Sequence, residues 1–158
     1  MRVEQLMTRQ VRTCRPDDTL AVAAHVMWEG DIGCLPVVGP DGRVVSVVTD
    51  RDIAMRAYFS GRPLWDTLVS EAMSKRLVTV RSHEDLELVE DQMRMAQVHR
   101  VPVVNDAGFL VGIITLNDLA HHRHGKAVGE GVSPDAVAAT LAAISTPRKF
   151  AFAPRIAA

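Results

Sequence analysis

Two Thr-x-x-Asp stretches of the sequence combine a hydroxyl and a carboxylate three residues apart. Thr49 and Asp52 follow one apolar run, and Thr115 and Asp118 follow another. At a helix start the two side chains can bond reciprocally to the backbone of the first turn, as in a capping box. The same groups suit a nucleotide, because a helix N-terminus stabilises a phosphate and a carboxylate can accept hydrogen bonds from both ribose hydroxyls. The spacing alone leaves both interpretations open.

The elements that must position these pairs occur twice in the chain. Residues 3–54 align with residues 69–120 without a gap, at a constant offset of 66. The alignment contains 14 identities in 52 positions, whereas average composition gives about three or four by chance. A repeat of this kind predicts a tandem duplication in which both copies share one fold.

The pattern of each copy predicts the element order β-α-β-β-α. A short extended piece leads to helix-start signals at residues 16–18 in the first copy and 82–85 in the second. Leu20, Ala23 and Met27 then recur at helical spacing and give one apolar stripe. A Pro-Val-Val run predicts a strand opened by proline, and the turns GPDG and NDAG predict a hairpin to a second strand. The Thr ends that strand, and the Asp lies in the helix that follows.

We therefore predict an α+β fold, in which two β-α-β-β-α repeats pack with pseudo-twofold symmetry. Pairing is expected because a half of about 60 residues buries too little surface to be stable alone. Ser133 and Pro134 carry the signals of a helix start and predict a C-terminal helix. The predicted segments are repeat 1 at 3–58, an ordered linker with a short amphipathic helix at 59–68, repeat 2 at 69–121, and an extension at 122–158 with a helix at about 134–145.

In combination, these motifs resemble the cystathionine-β-synthase (CBS) domain, which occurs as tandem pairs called Bateman modules. The resemblance covers residues 3–121 and rests on the duplication, Met-Thr or Met-Ser near each start, Pro-Val-Val, the Gly-containing turns, and a small residue followed by three apolar positions and Thr-x-x-Asp. It implies a cytoplasmic regulatory module that binds AMP, ADP, ATP or S-adenosylmethionine between its repeats and signals to a partner. With nothing else attached, the layout is similar to small actinobacterial hypoxic-response proteins.

The resemblance also implies which residues contact the ligand. Thr49 and Asp52 would serve a first site. The residues near it leave two interpretations open for Arg12, Arg15 and Arg51, which are either phosphate contacts of that site or solvated surface residues. Thr115 and Asp118 would serve a second site, which we favour because His99 and Arg100 form a natural phosphate-facing pair just before the second Pro-Val-Val strand. The complete set of expected ligand-binding residues is Thr13, Ile32, Leu35, Thr49, Arg51, Asp52, Thr79, His99, Arg100, Val101, Thr115 and Asp118.

Composition and spacing argue against several other functions. The net charge of −1 and the pI of about 6.6 give no field that attracts nucleic acid. No stretch approaches the roughly 18–20 apolar residues of a membrane span. No catalytic constellation or required cofactor is evident, so we expect no enzyme. His121, His122 and His124 are not expected to bind a metal, because neighbouring helical side chains point about 100° apart. Cys14 and Cys34 are expected to be reduced thiols.

One alternative function remains open at this stage. The chain would then be a homodimeric interaction or scaffold module that binds a protein partner and no small ligand. With either function, the resemblance implies a homodimer formed through the helices. Two interpretations stay open for Met55, Tyr58, Phe59, Leu64 and Trp65, which either supply the apolar contacts of that dimer or pack the linker on its own subunit.

Overall fold

Both copies of the repeat adopt the predicted α+β fold in the computed structural model, which describes residues 1–121 and 134–146. The first copy contains α1 (Leu20–Gly30), β1 (Cys34–Val38), β2 (Val44–Thr49) and α2 (Asp50–Ser60). The second copy contains β3 (Val80–Arg81), α3 (Leu86–Ala96), β4 (Arg100–Val104), β5 (Leu110–Thr115) and α4 (Leu116–His121), and it is followed by α5 (Pro134–Ser145). Single 3-10 turns lie at Val3–Gln5, Leu64–Asp66 and Val69–Glu71.

The two hairpins have the same register. β1 and β2 are antiparallel with Pro36 opposite Val47, and β4 and β5 are antiparallel with Pro102 opposite Ile113. In both strands the proline is the third residue, whereas the sequence predicted it at the first. The carbonyl of Pro36 accepts a hydrogen bond from Cys14 N on the side away from β2. Since the N and O atoms of one strand residue point the same way, the missing proline N–H costs the hairpin no bond.

The start of each copy packs against the other copy. Val3 and Met7 belong to the hydrophobic core of the second repeat, and Val69 belongs to the core of the first. Thr8 forms an antiparallel bridge with Ile113 on β5. The two repeats are thus interlocked by exchanged N-terminal segments, a feature that the linear repeat pattern does not show.

Backbone hydrogen bonds between the repeats follow a twofold relation. Arg43 and Phe109, which differ by the repeat offset of 66, form an antiparallel bridge with each other, so the local axis passes between the two hairpin turns. Among the bonds related by the offset are Leu20 N to Thr67 O (2.8 Å) with Leu86 N to Met1 O (3.0 Å), and Thr8 N to Ile113 O (2.9 Å) with Ser74 N to Val47 O (2.9 Å). The predicted pseudo-twofold symmetry is confirmed.

The two hydrophobic cores use equivalent positions. Every buried residue of the first core has its counterpart, 66 residues later or earlier, in the second core. The pairs are Cys14 and Val80, Leu20 and Leu86, Ala23 and Val89, Met27 and Met93, Leu35 and Val101, Val37 and Val103, Val48 and Ile114, Ile53 and Leu119, and Val69 and Val3. The apolar stripe predicted for each first helix is therefore core, and its Met residues fill space.

Three further local predictions were wrong. The extended piece expected to open the first copy forms only an isolated parallel bridge, between Cys14 and Val37, and no strand. α1 begins at Leu20 with Thr19 as N-cap, whose hydroxyl accepts from Val22 N at 3.3 Å. Asp18, expected to begin this helix, instead closes the preceding turn by accepting from Arg15 N at 2.7 Å. The amphipathic helix predicted in the linker is replaced by two 3-10 turns, because the chain at Thr67 is held extended by pairing with the start of α1.

An ion cluster secures the linker to α2. Glu71 accepts hydrogen bonds from the backbone N–H of Leu68 (3.2 Å), from Arg62 (3.0 Å) and from Arg56. The Leu68 N–H first, and then the two guanidinium groups, lower the pKa of Glu71 to about 2.

The C-terminal helix α5 packs against α3 and α4 and so covers one face of the second repeat. Ile144 is buried in the second core, and Val137 packs against that core. Gln97, the C-cap of α3, donates to the carbonyl of Ala143 in the last turn of α5 and to that of Thr146 directly after the helix. Among the described helices, none is long and apolar enough to cross a membrane.

Candidate functional site

Both Thr-x-x-Asp pairs form the reciprocal bonds of a capping box at a helix start. Oδ2 of Asp52 accepts from Thr49 N (2.9 Å) and Thr49 Oγ1 (2.7 Å), while Asp52 N donates to Thr49 Oγ1 (3.2 Å). Oδ2 of Asp118 accepts from Thr115 N (2.7 Å) and Thr115 Oγ1 (2.8 Å), and Asp118 N donates to Thr115 Oγ1 (3.2 Å). The capping interpretation therefore describes both pairs, and their local geometry does not distinguish them.

Their surroundings do distinguish them. A cleft of about 500 Å³ lies between the two repeats and is lined by Thr115 and Asp118. Thr49 and Asp52 are not among the described residues that line it. Within the described residues, Oδ1 of Asp118 accepts no hydrogen bond, so the capping box leaves one carboxylate oxygen available beside the cleft. The cap and a binding role are compatible at this residue.

The cleft is lined by residues of both repeats and by one residue of α5. Its lining consists of Thr8, Gln10, Val11, Arg12, Gly30, Asp31, Ile32, Gly33, Cys34, His99, Arg100, Ile113, Thr115, Leu116, Asn117, Asp118 and Leu141. Apolar side chains and a few hydrogen-bonding groups thus face one space, and the volume lies in the range of about 300–1,000 Å³ of small-molecule sites.

Exchange of the N-terminal segments explains how the cleft forms. The backbones of Thr8 and Ile113 bond to each other in both directions at 2.9 Å, which places the following residues, Gln10 to Arg12, along the edge of β5. From the other repeat, the turn after α1 brings Ile32 and Gly33 to the same space. The cleft is therefore an interface between the repeats and depends on their pairing.

The structure brings several of the residues predicted for the ligand site together in this cleft. They are Ile32, His99, Arg100, Thr115 and Asp118. Arg12, which was assigned to the first site, lies in this cleft instead, because its segment crosses to the second repeat. Its guanidinium lies 3.7 Å from the carboxylate of Glu29 on α1.

The remaining predicted residues lie elsewhere. Leu35 and Val101 are fully buried in the two cores, so their side chains pack there and do not wall a base. Thr13 and Arg51 are exposed and Thr79 is half-buried, and none of them lines the cleft. Arg51 belongs to the first turn of α2, beside the capping box of the first repeat.

Arg100 links the cleft to the first repeat. A Cβ placed on Gly33 would lie 3.3 Å from Nη1 of Arg100 and 2.8 Å from Oδ2 of Asp50, so both charged groups surround this glycine. Arg100 also lies close enough to the thiol of Cys34 for its charge to lower the pKa of that thiol. The guanidinium of Arg100, from the second repeat, therefore lies beside Gly33 and Cys34 of the first repeat. These two positions correspond to His99 and Arg100 in the second repeat, so the first repeat supplies no basic side chain of its own there.

The thiols of Cys14 and Cys34 are both buried and unpaired in the structure. Burial is the main reason that the pKa of Cys14 rises to about 12 and that of Cys34 to about 11, and the Arg100 charge opposes the rise at Cys34. A thiol with such a pKa carries almost no nucleophilic thiolate near neutral pH. Cys14 occupies the core position that Val80 fills in the second repeat, which identifies it as a packing residue.

Sequence reasoning missed Gln10 and Leu141 as lining residues. The signal for Gln10 was the Met-Thr motif just before it, but its partner strand is encoded more than 100 residues later. Leu141 comes from α5, which has no counterpart in the repeat pattern. Of the predicted histidine cluster, His121 is exposed at the end of α4, and His122 and His124 lie outside the described residues. No group of three or more potential metal ligands occurs within residues 1–121 and 134–146.

The fold and cleft together define a paired-repeat module with a small-molecule-sized site between its halves. The chain belongs to the CBS domain family, which it matches at residues 3–57 and again at 69–125. It is 42% identical over 118 residues to the CBS domain-containing protein YhcV of Bacillus subtilis, covering 75% of this chain and 82% of that protein. It is 33% identical over 117 residues to Hypoxic response protein 1 of Mycobacterium tuberculosis, covering 74% and 81%.

Solved structures share the architecture. A crystal structure of Hypoxic Response Protein I with two coordinated zinc ions superposes with a TM-score of 0.71 at 32% identity, covering 77% of this chain and 98% of that one. The CBS domain pair of protein MJ0100, in complex with 5-methylthioadenosine and S-adenosyl-L-methionine, superposes with a TM-score of 0.71 at 26% identity, covering 80% and 98%. The predicted family and fold are both confirmed.

Proposed function

We propose that this CBS pair is a regulatory module that binds one adenosine-containing ligand in the cleft between its repeats. The candidates are AMP, ADP, ATP and S-adenosylmethionine. Ligand occupancy would be passed to a protein partner. The observation that supports this proposal most strongly is that Thr115, Asp118, His99 and Arg100 all face one cleft of about 500 Å³.

The distribution of side chains in the cleft suits the two ends of such a ligand. Val11, Ile32 and Ile113 offer an apolar environment for a flat base. The free Oδ1 of Asp118 can accept hydrogen bonds from the hydroxyl groups of a ribose, which are uncharged donors. Arg100 and His99 supply donors for a phosphate or carboxylate, and charge-assisted bonds of this kind are shorter and stronger than neutral ones.

The structural neighbour MJ0100 supports the choice of ligand class. Its CBS domain pair was crystallised with two adenosine compounds, 5-methylthioadenosine and S-adenosyl-L-methionine. At 26% identity the backbone is shared but most side chains differ, so the ligand of this chain within the class follows from its own cleft.

The proposal is tested by thermal unfolding of the full chain with AMP, ADP, ATP and S-adenosylmethionine, each at about 100 times a micromolar dissociation constant. A ligand that binds only the folded state at that excess stabilises it by about 2.7 kcal/mol. A selective rise in midpoint with at least one compound is expected. No shift with any of the four would refute the proposal and leave both Thr-x-x-Asp pairs as helix caps.

The alternative is a scaffold that acts without a small ligand. Met55, Tyr58, Phe59 and Trp65, which were predicted to contact a partner, are all exposed, while Leu64 is half-buried against the first core. This exposure is compatible with either function, because a sensor also needs a surface on which to report. An unchanged midpoint together with a stable oligomer would favour the scaffold.

A further inference from the structure

Both arginines among the described residues of the cleft lie beside an acid of the first repeat. Arg12, from the N-terminal segment, has its guanidinium 3.7 Å from the carboxylate of Glu29 in the last turn of α1. Arg100, from the second repeat, has Nη1 3.3 Å from the position of a Cβ on Gly33, and Oδ2 of Asp50 lies 2.8 Å from the same position. The positive charges that face the cleft therefore already have counter-charges, one at the end of α1 and one at the start of α2.

The approach of Asp50 to Arg100 follows from a difference between the two repeats. The counterpart of Asp50 at the offset of 66 is Leu116, and the counterpart of Arg100 is Cys34. Asp50 and Leu116 are the first residues of α2 and α4, so the helix dipole would favour an acid at either position. The acid occurs only where the other repeat brings an arginine, and Leu116 occurs where the equivalent residue of the other repeat is a thiol. The pair is thus a feature of this interface between the repeats.

Both contacts are weak enough for a ligand to displace. The side chains of Arg12 and Glu29 are 50% and 55% exposed, and ion pairs with this exposure contribute little to stability. Arg100 and Asp50 form no ion pair in the part of the chain that the structure describes, so their attraction acts across a wider gap. A phosphate accepts short, charge-assisted hydrogen bonds from guanidinium groups. It would therefore draw both arginines away from their acids.

We propose that Asp50 and Glu29 are counter-charges that compete with the phosphate of a ligand for the guanidinium groups of Arg100 and Arg12. This inference rests on the proposed function, because it concerns a phosphorylated adenosine compound in the same cleft. In the empty cleft the two acids offset the positive charge of the arginines. When a phosphate enters, each arginine turns from its acid to the phosphate. The acids therefore keep the affinity for AMP, ADP and ATP below the value that the arginines alone would give.

The two arginines differ in the interactions that they lose on leaving their acids. α1 has no basic residue in its last turn, so Arg12 supplies the cation that the C-terminal end of a helix attracts, beside the carboxylate of Glu29 that this end repels. Asp50 lies at the N-terminal end of α2, which favours an acid with or without an arginine. A phosphate therefore moves Arg100 more readily than Arg12, and removal of Asp50 reports the competition most simply.

The competition is tested by isothermal titration calorimetry of the full chain with AMP, ADP, ATP and S-adenosylmethionine in turn. Asp50→Asn is expected to raise the affinity for at least one of the three phosphorylated compounds by about two- to fivefold, which is the range of an exposed ion pair. Arg100→Gln is expected to lower that affinity by about tenfold, because it removes a charge-assisted donor. Adding Asp50→Asn to the Arg100→Gln protein should then change nothing, since the acid has no arginine left to attract.

Asp66→Asn is the matched control. It removes the same charge from an exposed aspartate in the 3-10 turn Leu64–Asp66, which is not among the described residues that line the cleft, and it should leave the affinity unchanged. An equal gain from Asp66→Asn would overturn the competition, because the overall charge would then explain the gain. A gain from Asp50→Asn that persists beside Arg100→Gln would overturn it too, since the carboxylate would then repel the ligand directly. So would the absence of any gain from Asp50→Asn.

A second pair of variants keeps the test decisive if Arg100→Gln does not fold. Arg12 and Glu29 are both exposed, and Glu29→Gln should raise the affinity in wild type but not in the Arg12→Gln protein. The titrations also separate this inference from the proposed function. Binding of S-adenosylmethionine alone would overturn the competition and leave the proposed function intact, whereas binding of none of the four compounds would overturn both.

Discussion

Replacing Asp118 by Ala should separate ligand binding from helix capping, because the chain contains its own control. Asp52 makes the same three capping bonds within 0.2 Å, but it lies outside the cleft. Asp52→Ala therefore removes an equal cap and no ligand contact. Any difference between the two variants in the presence of ligand reports on the cleft alone.

The expected magnitudes follow from the geometry. Loss of a helix-capping side chain costs about 1 kcal/mol, which lowers the unfolding midpoint of a chain of this size by about 2–4 °C. Both variants should show this loss without ligand. A ligand at about 100 times its dissociation constant adds about 2.7 kcal/mol to wild type and to Asp52→Ala, or roughly 5–10 °C. Asp118→Ala should lose most of this rise.

The assay is differential scanning calorimetry of wild type, Asp52→Ala and Asp118→Ala, with and without the most stabilising compound of the four. Equal ligand-induced shifts in both variants would refute the assignment of Asp118 to the ligand. Unfolding of Asp118→Ala alone in the absence of ligand would show that its cap is structurally essential, and the conservative variant Asp118→Asn would then replace it in the comparison.

Three further predictions concern stability and pH, each measured by urea unfolding. Glu71→Gln should destabilise the protein at neutral pH, because the pKa of Glu71 is lower in the folded state than its ordinary value and the ionised carboxylate therefore stabilises the fold. The difference in stability from wild type should shrink as the pH falls from 4.5 to about 2, where Glu71 becomes protonated in the folded state as well. A pH-independent difference would contradict this. Glu90 is buried on α3 with Oε1 unpaired and its pKa raised by desolvation, so Glu90→Met should stabilise the fold by about 1–3 kcal/mol. That gain should be larger at pH 7 than at pH 4, since the folded state disfavours the carboxylate, and a loss of stability would show that the carboxylate is needed. Gly112→Ala would place a Cβ 2.6 Å from Sδ of Met7 and 3.0 Å from the carbonyl of Thr8, and this overpacking should cost about 1–3 kcal/mol. Ser46→Ala at the equivalent position adds no atom and removes the hydroxyl's hydrogen bond to the carbonyl of Ser74 (2.6 Å), which should cost about 0.5–1.5 kcal/mol.

The repeat pattern was sufficient to predict the fold. Leu20 and Met27 recur as Leu86 and Met93, so the same positions were expected to be buried in both repeats. Both cores contain these residues at equivalent positions. Family and pseudo-twofold symmetry followed from the same comparison of the chain with itself, whereas the strand expected to open the first copy is only an isolated bridge between Cys14 and Val37.

The position of the cleft could not be predicted from one repeat. Arg12 reaches the second site because the N-terminal segment crosses to β5, and such long-range pairing leaves no local pattern in the sequence. Leu141 enters from a helix outside the duplication. Leu35 and Val101 were expected at the ligand because they precede a conspicuous motif, but alternation along a strand directs their side chains into the cores. The residue types and their spacing identified both Thr-x-x-Asp pairs in the sequence. The packing of the two repeats determines that the pair Thr115 and Asp118 lines the cleft.

The most direct test of the central proposal is equilibrium dialysis of the full chain against radiolabelled AMP, ADP, ATP and S-adenosylmethionine in turn. At least one compound should bind saturably with one molecule per chain, and Asp118→Ala should lose this binding while Asp52→Ala retains it. Absence of saturable binding by all four compounds, or binding that depends on Asp52 and not on Asp118, would contradict an adenosine site in the cleft between the repeats.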